Sequence, residues 1–551
     1  MEPLRIIPLG GLGEFGLNMM LFEYGDAAIA IDCGLMFPGA DLLGIDLVIP
    51  DVSYLMEKKK KLHGIVLTHA HEDHIGALPY ILRLLPVPIF GAPLTLGLLR
   101  NKLREHDLEA TAELREITAG KRWEMGPFQL EGIRVTHSLI HCLAMAIETP
   151  LGVVVHTGDF KIDHTPMDGE IFDYQRFAAY GEKGVLLLLS DSTNVEREGY
   201  TPSEREVGRN LEEIFQGSGG RVFVATFSSN IPRIQQVVDL SERFGRRVVL
   251  SGRSMVNNTE VASALGCLRL PAGVMQERER WQDLPRDRIT FLTTGSQGEP
   301  LSVLHRVALD DHRLIKIERG DTVILSSKFI PGNEKTITNL INHLYRRGAE
   351  VHYEKVSEIH VSGHASQEEL KTMLQLTRPR YFIPIHGEYR HLVRHIQLAQ
   401  RVGISQENCF LLEDGEVLEL TPHSARRVDS ISTGKVFVDG KGVGDVEDVV
   451  LRDRRHLSED GMVIAVMAIH QQSGELVAGP DLISRGFMRN EEGEEVLEQA
   501  KRVVLETLRG ISRESRTDPM ELQEEVRKAL RRYFYKTLER RPVVLPLIME
   551  M

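Results

Sequence analysis

Residues 69–74 read His-Ala-His-Glu-Asp-His, directly after the apolar run GIVLT at 64–68. A turn leaving a strand end lets two histidines at i and i+2 converge on one cation. The Asp and His that follow, entering a helix, can point at a second cation beside the first. Imidazole and carboxylate donors without thiolate suit zinc or manganese, and they leave a coordination position for water. The competing reading, a polar loop with incidental histidines, takes no account of the strand that delivers them. A chain with this hexapeptide must fold so that other ligands, far away in sequence, meet it.

The rest of the chain has the material to do so. Its 551 residues suggest three or four domains at about 150 residues each. With 42% hydrophobic and 26% charged residues, the balance is that of an ordinary globular protein. No apolar run approaches the ~18 residues that cross a bilayer, and Val185–Leu189 reads as a buried strand. The N-terminus MEPLRIIPLGGLGEFG has glycines where a signal peptide would be apolar, so we expect a cytoplasmic protein without a membrane partner. Cys33, Cys142, Cys267 and Cys409 form no CxxC, which argues against a disulfide framework or a thiolate zinc site. The net charge of −13 argues against a non-specific nucleic-acid coat but not against a nuclease, whose path can be locally basic and whose metals bring positive charge.

The first ~200 residues alternate strand-like runs (AIAIDCG, GIVLTHAH, GIRVTHS, GVVVHTGDF) with helical periods, an α/β or α+β pattern. From about 200 to 360 the runs RVFVATF, RVVLSG, ITFLTTG and DTVILSS each lead toward a helix, as in a doubly wound parallel sheet. Residues 358–390 return to histidine-bearing strand ends in EIHVSGHAS and RYFIPIHGEYRH. After about 425 come a Gly/Asp-rich connector, the strand-like VIAVMAIH, and helical stretches at 491–509 and 519–540.

HAHEDH resembles the HxHxDH signature of the metallo-β-lactamase superfamily. THS with His137, HTGDF with Asp159 and IPIHGE with His386 resemble its later motifs. SDSTN (190–194) and VSGHAS (361–366) resemble the β-CASP nuclease branch, and HTGDFKID, TFSSN, FIPGNE and HVSGHAS together are similar to bacterial ribonuclease J. The resemblance covers residues 1 to about 450 closely and the remainder more loosely. It implies an α/β fold: a metallo-β-lactamase αββα sandwich (1–200 and 359–425), an inserted β-CASP domain (201–358), a linker (426–455) and a small C-terminal α/β domain (456–551).

The resemblance assigns one divalent metal to His69, His71, His137 and Asp159, and a second to Asp73, His74, Asp159 and His386. Two cations about 3.5–4 Å apart make hydroxide available near pH 7. Catalytic roles fall to Asp73, to His364 at the leaving oxygen, and to Asp191, which orients His364. Asp32 is expected either to hold the other nitrogen of a ligand histidine or to be a turn residue before Gly34. Where ribonuclease J sequences usually read HSIPDS, this chain reads HSLIHC; we assign the ligand to His137 and His141 to the site wall. Asp163 is expected to be a turn carboxylate or a support for the site, not the bridge. For substrate binding we expect Ser228, Ser229 and Asn230 opposite His360, Val361, Ser362, Gly363, His364, Ala365 and Ser366, whose small residues allow a backbone nest for phosphate. A structural calcium is implied at Leu43, Ile45 and Asp439.

The implied activity is hydrolysis of single-stranded RNA, 5′→3′ from a monophosphorylated end and also internally, in mRNA decay and rRNA maturation. A DNA-directed β-CASP nuclease, or an RNA-binding scaffold that has lost catalysis, are the alternatives. The run Lys58–Lys61 is a solvated helix end or an RNA contact. The stripe Leu522, Val526, Leu530, Phe534 and Leu538 is a core or an interface, and its module is expected to support a homodimer or homotetramer. The basic face of Arg527, Lys528, Arg531, Arg532 and Lys536 is solvated or faces RNA.

Overall fold

The structure is a computed structural model and describes residues 2–39, 41–57, 61–277, 280–330, 333–440, 442–444, 446, 448–488 and 490–551. Three of the four lysines of the 58–61 run lie outside them. The chain divides into two units, Met1–Phe37 with Val48–Val436, and Pro38–Leu47 with Phe437–Met551.

The first unit is built on two sheets. One runs Ala425–Val428, Val417–Leu420, Leu4–Gly10, Met19–Tyr24, Ala27–Ile31, Lys61–Val66, Ile89–Gly91, Leu114–Glu116 from edge to edge. The other runs Tyr381–Ile385, Val185–Asp191, Gly152–His156, Leu143–Thr149, Phe128–Arg134, Arg122–Met125. Side chains alternate across a strand, so one face of each sheet is apolar, and these faces meet. Ile6, Phe22, Ile29 and Val66 from the first join Leu130, Met145, Val154, Leu187 and Ile383 from the second in one buried cluster. Val185–Asp191 is covered on both faces, as its unbroken apolar run requires. The helix Pro93–Glu105 packs on the first sheet, and Gln367–Thr377 and Tyr389–Arg401 pack on the second.

Both sheets are completed by the chain's return. Tyr381–Ile385 pairs in parallel with Val185–Asp191, and Val417–Leu420 pairs antiparallel with Leu4–Gly10. Between departure and return the chain forms a separate parallel sheet in the order Arg247–Ser251, Ile289–Thr293, Val222–Ala225, Thr322–Leu325, Glu350–His352. Its own core includes Phe223, Val249, Phe291 and Val323. Arg233 sits where this insert joins the sandwich. It is fully buried, donates to Glu204 at 2.6 Å and to the Ile359 carbonyl at 2.7 Å, and also bonds Ser326.

In the second unit the strands Leu476–Arg485, Met462–Ile469 and Val543–Glu550 form one sheet, with the helices Asn490–Gly510 and Pro519–Leu538. Leu522, Val526, Leu530 and Phe534 are fully buried against Val463, Met467 and Val504, so the stripe is the unit's own core and not an interface. On the opposite face of Pro519–Leu538, Arg527 pairs with Glu524 and Lys528 with Glu525. Residues 426–455 carry the strand Lys435–Asp439 and the start of the helix Asp448–Asp460. No helix among the described residues is long and apolar enough to cross a membrane.

Removing one partner of a buried ion pair leaves the other charge uncompensated, at a cost of about 3–5 kcal/mol. Glu204→Leu should therefore lower the unfolding free energy of the protein by about 3 kcal/mol in urea titrations. A loss below about 1 kcal/mol would show that Arg233 finds other compensation.

Candidate metal centre

Each histidine of the centre arrives on or beside a strand end. Lys61–Val66 delivers His69 and His71, and the short helix Glu72–Ile75 carries Asp73 and His74. His137 follows Phe128–Arg134, Asp159 follows Gly152–His156, and His386 follows Tyr381–Ile385. The loop Cys33–Leu35 lies so close to 72–74 that a Cβ at Gly34 would sit 1.6 Å from the Asp73 carbonyl oxygen; only glycine fits.

Ligand atoms of His69, His71, His137 and Asp159 lie within 4.8 Å of one another, and so do those of Asp73, His74, Asp159 and His386. A third overlapping group joins Asp159, Asp191, His364 and His386. The ring nitrogens not aimed at these clusters are all held. His69 Nδ1 meets Thr68 Oγ1 at 2.9 Å, and His71 Nε2 meets Ser138 Oγ at 3.3 Å. His74 Nδ1 is 2.8 Å from Asp32 Oδ2, and His137 Nδ1 donates to the Gly363 carbonyl at 2.7 Å. His386 Nδ1 meets Thr193 Oγ1 at 2.7 Å. These partners fix ring orientation and free the opposite nitrogens for a cation. The donor set therefore fits divalent metal ions. Asp32 and His386 both hold a left-handed backbone, with φ of 63° and 56°, strain of a kind that clusters at functional sites.

His364 stands beside this centre, its Nδ1 2.8 Å from Asp191 Oδ2 and its ring 4.9 Å from that of His137. A Cβ at Gly363 would meet the His137 ring at 2.6 Å, so the 362–366 segment can lie against the centre only with glycine there. Within that segment several groups are already committed. Ser362 Oγ accepts from Asn194 at 2.7 Å, and Ser366 caps the helix Gln367–Thr377 in a capping box with Glu369. Asn230 caps Ile231–Arg243, and Ser228 Oγ accepts from Asn258 at 3.0 Å. Val361 and Ala365 are buried. His360 Nδ1 has no hydrogen-bond partner, and burial followed by the nearby cations Arg233, Lys328, Lys161 and Arg197 holds its pKa well below the usual imidazole value.

His141 belongs to none of the clusters; it lines a cavity of about 230 Å³ together with Ile140, Met167 and Asp168. Asp163 accepts the backbone N–H of Thr165 at 2.9 Å and of Glu204 at 3.1 Å, a loop-fastening role. Leu43, Ile45 and Asp439, implied for a structural calcium, belong to the second unit. Arg454 donates to the Leu43 carbonyl at 3.1 Å and pairs with the Asp439 carboxylate, while Ile45 is a buried apolar residue.

Thr68, Ser138, Thr193, Asn194 and Asn18 escaped the reading of the sequence. Asn18 donates to the Asp73 carbonyl at 2.9 Å. Thr193 had a visible signal: its N–H donates to Asp191 Oδ1 at 3.0 Å, the i to i+2 bond that Asp-Ser-Thr favours.

The two clusters differ in proton affinity. Burial, reinforced by neighbouring imidazoles, holds His71 down to about 4 and His69 and His137 well below the usual value. At His74 and His386 burial acts in the same direction but is outweighed by Asp159 and the other carboxylates, so His386 rises to about 9. Asp159 stays ionised because His386 and His74 outweigh its burial. Metal binding at the His74–His386 cluster must then displace protons below pH 9, whereas the His69–His71–His137 cluster is proton-free through neutral pH. Manganese titrations between pH 6.5 and 8.5 should show one binding step that strengthens with pH, up to tenfold per unit per proton, and one nearly flat step. Equal slopes would refute this division. Asp159→Asn should abolish tight binding at both clusters, whereas His141→Ala should leave metal content unchanged; the reverse pattern by metal analysis would overturn the ligand set.

Four known families match successive parts of the chain. Residues 12–211 match the metallo-beta-lactamase superfamily, 219–344 the ribonuclease J beta-CASP domain, 348–411 the Zn-dependent metallo-hydrolase RNA specificity domain, and 449–551 the ribonuclease J C-terminal domain. Ribonuclease J of Thermus thermophilus is 43% identical over 561 residues, covering 100% of this chain and 96% of its own. Ribonuclease J 1 of Streptococcus pyogenes is 41% identical (99% and 97% covered), and ribonuclease J2 of Bacillus subtilis 39% (100% and 99%). A crystal structure of a protein of unknown function from Enterococcus faecalis shares the fold at a TM-score of 0.53 and 16% identity, over 76% of this chain and 100% of its own. The chain thus belongs to the ribonuclease J family and is a hydrolytic ribonuclease in which a β-CASP domain interrupts a metallo-β-lactamase fold.

Proposed function

We propose that the protein degrades single-stranded RNA 5′→3′ from a monophosphorylated end, cuts RNA internally as well, and serves mRNA decay and rRNA maturation in the cytoplasm. The observation that carries this reading is His364, held by Asp191 beside the metal clusters. His69, His71, His137 and Asp159, and Asp73, His74, Asp159 and His386, would hold two divalent ions, zinc or manganese, which when bound would supply an activated water and offset charge on the scissile phosphate. His364 is placed to hydrogen-bond the leaving 3′-oxygen, and Asp191 orients its ring. A structural calcium at the main-chain carbonyls of Leu43 and Ile45 and at Asp439 would compete with the Arg454 guanidinium for Leu43 and Asp439.

RNA reaches the centre between the sandwich (1–200 and 359–425) and the insert (201–358). Arg197 and Lys328, near His360, favour an anion at that place, whereas Lys161 and Arg233 are buried beside Asp163 and Glu204. The N-terminus of the helix Ile231–Arg243, preceded by Ser228 and Ser229, adds donors suited to a terminal phosphate. Such a pocket takes one phosphate and crowds a triphosphate. 5′-Monophosphorylated RNA should then be degraded at least tenfold faster than 5′-triphosphorylated RNA, and matched DNA should be cut poorly. Ser229→Asp should remove the end preference more than it slows internal cutting, and it spares the helix cap that a change at Ser366 would break. Equal rates on both ends, or nucleotides released first from the 3′ end, would refute the pocket while leaving the metal centre untouched.

The second unit supports the proposal of a homodimer or homotetramer. Leu545, Leu547, Met549 and Ile483 leave an apolar outer face exposed on its sheet, a patch of a kind that marks interaction sites. Leu547→Glu should reduce the particle mass in light scattering to that of one chain with reduced activity; an unchanged mass would exclude this face.

A further inference from the structure

The carboxylate of Asp191 serves two histidines at once. Its Oδ2 takes the Nδ1 side of His364 at 2.8 Å. Its Oδ1 accepts the Thr193 hydroxyl at 2.7 Å, and that hydroxyl lies 2.7 Å from His386 Nδ1. A hydroxyl has one proton to give. The Thr193 hydroxyl also lies 3.3 Å from the His386 carbonyl, but the carboxylate is closer and ionised, so it takes the proton. The hydroxyl can then face His386 Nδ1 only as an acceptor. His386 therefore keeps a proton on Nδ1 in either charge state, and the proton that a metal would displace is the one on Nε2, which faces Asp73 Oδ2 at 3.2 Å and Asp159 Oδ2 at 3.5 Å inside the second cluster.

The same arrangement occurs across the centre. Asp32 Oδ2 takes His74 Nδ1 directly at 2.8 Å and accepts the Thr68 hydroxyl at 2.8 Å, which in turn meets His69 Nδ1 at 2.9 Å. Two carboxylates thus each hold one histidine directly and another through a threonine. The pair around Asp191 differs in what it joins, because His386 belongs to a metal cluster and His364 stands at the leaving-group side.

We propose that Thr193 is a positioning residue that sets the His386 tautomer for metal binding and, by occupying Asp191 Oδ1, keeps Oδ2 directed at His364. Loading of the second cluster and placement of His364 then depend on the same hydroxyl. This rests on the two-ion reading of the centre.

The test compares Thr193→Val, which keeps the shape and loses the hydroxyl, with Thr193→Ser, which keeps the hydroxyl. Full-length protein is titrated with manganese, bound metal is measured after dialysis, and kcat and KM are taken on RNA and on RNA with a 3′-bridging sulfur at the scissile linkage. Sulfur leaves without a proton, so a substitution that misplaces His364 matters less on that substrate. Thr193→Val should weaken the second manganese equivalent ten- to a hundredfold and lower kcat with little change in KM. The kcat deficit at saturating manganese should shrink on the sulfur substrate, and Thr193→Ser should restore both properties to within about threefold of wild type. Two equivalents bound alike by wild type and Thr193→Val would overturn the proposal alone. So would equal damage from the Val and Ser changes, or a saturating-metal deficit identical on both substrates. A wild-type protein that holds one equivalent would overturn the two-ion reading and the proposal with it.

Discussion

One carboxylate oxygen organises this molecule. Asp159 Oδ2 lies 3.6 Å from a ring nitrogen of His69, 3.3 Å from His74, 3.9 Å from His137, 3.9 Å from His364 and 3.5 Å from His386. A buried anion surrounded by imidazoles is tenable only if the rings are held and their charge is controlled. The surrounding fold does both. The strands that end at the centre set where each ring begins, and the partners on the outer nitrogens set where it points. The two-sheet core beneath them, from Ile6 to Ile383, makes those strand ends rigid.

The insert follows from the same demand. A nuclease centre must be open to a polymer, yet its histidines must be packed. The sandwich meets the second need, and the separate parallel sheet, with its own core, can form one wall of a path without disturbing the first. Arg233 is the joint: one guanidinium binds Glu204, Ser326 and the Ile359 carbonyl. The insert is therefore fastened by a charge pair deep in the protein, where a single lost partner is costly.

Legibility in the sequence followed the physics of each element. HAHEDH could be read because three imidazoles at strand-end spacing have few other uses. The parallel insert could be read because its strands are short, apolar and followed by helices. The distant residues Asp159, His364 and His386 were reached only through the family resemblance, since single histidines carry no signal of what they face. Thr68 and Thr193 stayed silent because a threonine hydroxyl is defined by its neighbours. Ser366 carries two signals at once: Ser-x-x-Glu is the spelling of a capping box, which the structure forms, and the small residues around it suggest a phosphate nest. Likewise the stripe at 522–534 announced an apolar face but not its cover, which proved to be the unit's own sheet. Arg454 could not be anticipated at all, because its meeting with Leu43 joins residues 411 positions apart.

The return strand Tyr381–Ile385 has a consequence for biosynthesis. It pairs with Val185–Asp191 across nearly two hundred residues of intervening chain, and His386 follows it directly. Until that segment has left the ribosome, the second sheet lacks its last strand and the centre lacks one of its five rings. The growing polypeptide thus cannot complete this cluster of histidines and carboxylates before residue 386 is made. Completion of the cluster comes late in translation, through the topology of the sheet.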